Sequence, residues 1–85
     1  MKINADGQAI THRFFQTIEL LKQVQKIRGL KTYTDLYNIN RWNLITVRKN
    51  PKTSILKPEW LVPLVRDFNV SAEWLLTGRG SIYKE

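Results

Sequence analysis

Eighty-five residues with no cysteine and a single histidine leave this chain little but packing to hold a fold together. Disulfides and thiolate metal sites are chemically excluded, and one histidine makes a structural zinc site untenable. A chain this short builds one small core, so its apolar side chains must gather on a few well-defined faces. They recur at helical spacing, and no convincing strand pattern competes. The absence of cysteine also fits a reducing compartment. No apolar run approaches the roughly 18 residues of a membrane span, and the N-terminus MKINADGQAI is too polar for a signal peptide. A cytoplasmic location with no membrane partner is expected.

A helical stripe begins at Thr11, with Phe14, Ile18, Leu21 and Val24 in step and Phe15, Leu20 and Ile27 widening it. Thr11 is the expected cap and Gly29 the expected stop, with Lys26 and Arg28 suited to the negative helix end. Thr32 is expected to cap a short second helix, with Asp35 following and Tyr33, Leu36 and Tyr37 on one face. Both tyrosines are read as core with a solvent-facing hydroxyl. Asn38 and Asn40 bracket Ile39 in a tight turn, since asparagine tolerates the left-handed conformation.

The third helix spans 41–50 and closes at Pro51. Only Leu44 and Val47 face inward, leaving Trp42 and Ile45 on the exposed remainder. In PEWLVPLVRDF, Trp60, Leu61, Leu64, Val65 and Phe68 form an apolar face, and Pro63 predicts a kink or a regular helix only from about Val62. Ser71 caps a last short helix that ends near Gly78. The expected fold is all-α, with five helices in one domain over residues 10–80. Residues 1–9 form a flexible N-terminal tail and 81–85 a C-terminal tail in this reading.

The formal net charge is +7. Its placement says more than its size. Residues 41–57 hold Arg41, Arg48, Lys49, Lys52 and Lys57 with no acid, and so supply five of the seven net charges. A basic segment of this kind suits a polyanion. Two short helices joined by a tight turn, the second basic and poorly buried, follow the helix-turn-helix plan. The major groove of B-DNA, about 12 Å wide, admits one such helix. Arg41, Trp42, Asn43, Ile45 and Thr46 are the base-facing candidates. Arg can bridge guanine O6 and N7, Asn can bridge adenine N6 and N7, and the methyl groups of Ile45 and Thr46 suit thymine. Lys49, Lys52 and Lys57 lie at or past the helix end, where phosphates run. Trp42 stays open between base contact, sugar packing and a contact with a second copy.

Catalysis finds no support. The seven acids are scattered, no nucleophile lies near a plausible base, and there is no glycine-rich phosphate loop. The chain is therefore expected to be no enzyme and to use no cofactor, metal or small-molecule substrate.

The ending FNVSAEWLLTGRG, with Trp74, Leu75, Leu76, Thr77 and Gly78, resembles the lambda-repressor-like fold of phage repressors and Cro. A short last helix in that family often ends in this Trp-Leu-Leu-Thr-Gly string. Leu36, Ile39, Leu44 and Val47 fit its apolar helix-turn-helix positions, and Asn38 stands where a turn glycine is usual. The resemblance covers about residues 13 to 80. Thr34 replaces a usual small alanine, Arg48 a common acid, and the glutamine that often begins the second helix is missing.

The resemblance implies base-facing roles for Arg41, Trp42, Ile45 and Thr46, and backbone contacts for Lys49 and Lys52. It also implies a flanking-phosphate position for Lys31 and Thr32. It further implies a sequence-specific regulator of transcription, of phage or mobile-element repressor type, bound to double-stranded DNA as a homodimer. Ile82 and Tyr83 are candidates for the contact between copies. The alternative is a protein-interaction module, such as the antitoxin of a toxin–antitoxin pair.

Overall fold

Asn4 starts the first helix. Its Oδ1 accepts a hydrogen bond from the Gly7 N–H at 2.8 Å, and Asp6 sits in the first turn, where the helix dipole favours an acid. The computed structural model describes residues 2–84, and in it α1 runs Ala5–Gln23. The expected cap, Thr11, lies buried mid-helix with its hydroxyl donating to the Gly7 carbonyl. Asn4 wins because its carboxamide can reach free N–H groups, whereas the Thr11 hydroxyl is turned back onto the preceding turn.

The expected stop at Gly29 also moves. Gln25 takes the left-handed conformation (φ 63°), and the Lys26 N–H returns to the Leu21 carbonyl at 2.9 Å. Breaking there lets Ile27, only 3% exposed, turn back into the core. Gly29 instead precedes α2, Leu30–Leu36, which begins without a side-chain cap. Thr32 therefore does not cap it, and Asp35 pairs with Lys31 at 2.8 Å. The turn follows with Asn38 at φ 53° and the Ile39 N–H on the Thr34 carbonyl. α3 then runs Arg41–Lys49.

A 3-10 turn, Pro58–Trp60, brings Trp60 inside. α4, Val62–Asp67, carries Pro63 in its first turn, where a missing N–H breaks no helical bond, so the chain breaks at Leu61 instead of kinking. α5, Ala72–Thr77, is capped by the Ser71 hydroxyl and closed by Gly78 in the left-handed region (φ 79°). Arg13 reaches from α1 to this end, donating from Nε to the Leu75 carbonyl at 2.9 Å and from Nη2 to the Leu76 carbonyl at 3.0 Å. The protein is thus mostly helical, with five α-helices and one isolated β-bridge among the described residues.

α1 packs against α3 and α5, and α2 against α3. Phe14, Leu21, Tyr33, Leu44, Leu64 and Val70 are fully buried at the centre. Leu36 departs from the expected apolar face and is 62% exposed. The face is filled by Tyr33 and Tyr37, which pack with Phe68, and α2 ends where Leu36 points outward. Tyr33 also corrects its expected solvent-facing hydroxyl, for its Oη donates to the buried Trp60 carbonyl at 2.7 Å.

Both chain ends are built into the domain as far as they are described, Met1 and Glu85 lying outside the described residues. The Ile3 N–H donates to the Lys52 carbonyl at 2.7 Å. Near the other end, Val70 and Tyr83 form the antiparallel bridge, and the Ser71 N–H donates to the Ile82 carbonyl at 2.8 Å. Lys84 Nζ donates to the Val65 carbonyl near the end of α4. Ile82 and Tyr83 are half-buried, and Tyr83 packs against its own core. No helix among the described residues is long and apolar enough to cross a membrane.

Burial pushes the Tyr33 hydroxyl well above the ordinary tyrosine range. The folded state keeps this proton when the unfolded chain ionises near pH 10, so stability falls as pH rises beyond about 10. Tyr33→Phe should cost about 1–3 kcal/mol at neutral pH, because it leaves the Trp60 carbonyl unpaired. It should also flatten the alkaline loss of stability. Urea unfolding of both proteins from neutral to alkaline pH reads the two effects together.

Candidate nucleic-acid interface

The geometry of α3 follows from its cap and its stripe. Asn40 accepts hydrogen bonds on Oδ1 from the N–H groups of Trp42 at 2.9 Å and Asn43 at 3.2 Å. That satisfies two of the donors a helix start leaves free. Leu44 and Val47 are its only buried residues. At about 100° per residue, the direction opposite this stripe is taken by Trp42, Thr46 and Lys49. All three are exposed, Trp42 by 67%.

The five base-facing candidates therefore divide. Trp42 and Thr46 form the outer crest. Arg41 and Ile45 lie half-buried on one flank, so Ile45 is less exposed than its spacing suggests. Asn43 is exposed on the other flank. Trp42 is not among the side chains packed against the core. The Arg41 guanidinium sits 5.4 Å from its ring centroid, a cation–π contact that leaves the rest of the ring open. The hydroxyl of the exposed Thr46 donates to the Trp42 carbonyl at 2.9 Å, which leaves its oxygen lone pairs free to accept.

Lys49, Lys52 and Lys57 are all exposed, at the end of α3 and along the loop behind it. Lys57 lies 5.8 Å from the Trp60 ring centroid. With Asn38, Asn40, Asn43 and Arg66 it lines a cleft of about 370 Å³ at the start of α3. Lys31 and Thr32 are not part of it. They border a separate cleft with Arg28, Asp35 and Leu36, where Asp35 already holds the Lys31 ammonium. An anion arriving there would have to displace or share that exposed pair, which is worth little in water.

Arg66, which the basic run 41–57 does not include, is committed to Asp67 at 3.0 Å. That guanidinium, and then the hydroxyl of Tyr37, hold the Asp67 carboxyl below the usual carboxylate range. Tyr37 is raised in turn, first by burial and then by its bond to Asp67. Arg66 was hidden in the sequence because it belongs to α4 by pattern and reaches the cleft only through packing.

No protein-family model matches the chain, and neither a curated protein nor a solved structure matches it.

Replacing Asn40 tests how the crest is held. Asn40→Ala should cost about 1 kcal/mol and Asn40→Gly only a few tenths, because both lose the accepting Oδ1 but glycine, with no Cβ, leaves the free N–H groups open to water. Chemical unfolding of the two variants checks the order.

Proposed function

We propose that this chain is a sequence-specific regulator of transcription that binds double-stranded DNA by inserting α3 in the major groove. The observation that carries this reading is the combination on α3 of a two-residue anchor, Leu44 and Val47, with an outward crest of Trp42, Thr46 and Lys49. The crest belongs to a run, 41–57, that has five cations and no acid. A helix built only to pack would bury a wider stripe. A helix that enters a groove keeps a narrow one and carries hydrogen-bonding and cationic groups elsewhere.

In this reading Arg41, Trp42, Asn43, Ile45 and Thr46 meet base edges, and Lys49, Lys52 and Lys57 meet phosphates. Lys31 and Thr32 contact a flanking phosphate, at the cost of the Asp35 pair. The succession of α2, the Asn38–Asn40 turn and α3, together with the capped α5 ending in Gly78, supports a lambda-repressor-like assignment. A phage or mobile-element repressor acting as a homodimer is the form of regulator this assignment favours. One nine-residue helix reads few bases, and paired half-sites raise the specificity.

A second reading, a protein-binding module such as an antitoxin, draws on one observation. Leu61, Val62, Val65 and Leu76 line a shallow, largely apolar cleft, with Val62 and Leu76 about half exposed.

A selection of bound sequences from a random DNA pool, followed by gel shifts on the winner at several salt concentrations, separates the two. The DNA reading expects one enriched, two-fold symmetric site and affinity that falls steeply with salt. No enrichment and no binding at tens of micromolar protein in low salt would sink it. Arg41→Ala should relax base preference with a loss of about 1–3 kcal/mol on the selected site, whereas Lys52→Ala should weaken every DNA about equally.

A further inference from the structure

We propose that Lys2 is a further phosphate-contacting residue, carried to the edge of the DNA-facing loop by the backbone of Ile3. This rests on the reading that α3 and the 51–57 loop meet DNA. The Ile3 N–H donates to the Lys52 carbonyl at 2.7 Å, so the peptide bond between Lys2 and Ile3 lies directly against the backbone of a proposed phosphate contact.

Three further contacts hold Ile3 in place. Gln8 Nε2 donates to the Ile3 carbonyl at 2.7 Å. The Ile3 side chain lines an apolar cleft with Ile10, Ile55, Leu56 and Leu61. It also lies so close over Gly7 that a Cβ there would come within 2.6 Å of Ile3 Cγ2. Asn4 then caps α1 one residue further on. The segment is therefore pinned through its amide, its carbonyl and its side chain.

Lys2 itself is exposed, as are Lys49 and Lys52. The ion pairs among the described residues are Lys31–Asp35 and Arg66–Asp67, and none of these three ammonium groups takes part in them. A cation whose backbone is already anchored gives up less freedom on contact than one on a loose tail. Lys2 thus adds a charge at the Lys52 end of the interface, where a phosphate strand passing the end of α3 would run.

The test uses the full chain, the DNA site selected as above, and three variants. Lys2→Ala removes the charge, Lys2→Arg keeps it, and Lys22→Ala removes a charge near the far end of α1, about 26 Å of helical rise from Ala5. Affinity is measured for the selected site and for random DNA over a range of salt concentrations. The proposal expects Lys2→Ala to weaken binding to both DNAs by a similar factor and to lower the slope of log affinity against log salt by about 0.9, with Lys2→Arg restoring it. Lys22→Ala should leave the slope unchanged. If Lys2→Ala behaves as Lys22→Ala does while the unmodified chain binds DNA, the role of Lys2 is overturned and the DNA reading stands. If the unmodified chain binds no DNA at any salt concentration, both fall.

Discussion

The hydroxyl of Tyr33 ties together the parts of this molecule that would otherwise drift. The ring is fully buried between Phe14 of α1 and the Tyr37–Phe68 pair, and its hydroxyl ends on the Trp60 carbonyl. One side chain of α2 is thereby joined to the long first helix and to the turn that closes the basic loop. In a core this small, a buried hydroxyl without its partner would weigh heavily against the total. This bond and the ring packing around it fasten α2, which in turn packs against α3.

From that anchor the exposure of α3 follows. The helix gives only Leu44 and Val47 to the core, so its own burial contributes little and its cap contributes proportionately more. Asn40 fixes where the helix begins and hence which residues face out. A shift of one residue would turn the crest by about 100° and bury a different pair. On the proposed function, the same arrangement that weakens α3 as a structural element makes it available to a groove.

Much of the fold was legible from spacing. The stripe through Phe14, Ile18 and Leu21, the Asn38–Asn40 turn, the Leu44–Val47 anchor, the break near Val62 and the Ser71 cap all appear where local chemistry calls for them. The errors cluster where a local signal had a rival decided at a distance. Thr11 and Asn4 are both able caps, and the burial of Thr11 against the rest of the domain settles between them. Gly29 is a good stop, but Ile27 must reach the core first. Leu36 matches an apolar pattern whose face was already occupied by two tyrosines. In the candidate interface, the crest of Trp42 and Thr46 could be read from periodicity, while the half-burial of Arg41 and Ile45 and the approach of Arg66 could not.

By itself, the sequence determined that this chain is helical, that its core is single and small, and that its positive charge is concentrated in 41–57. These are local or summed properties, set by side-chain periodicity, by caps and by the absence of cysteine. The tertiary structure decided what lies beside what: Ile3 against Lys52, Arg13 on the end of α5, Tyr83 folded back beside Val70. Those pairings join residues far apart in the chain, and a hydrogen bond across such a separation leaves no periodic trace in the residues between.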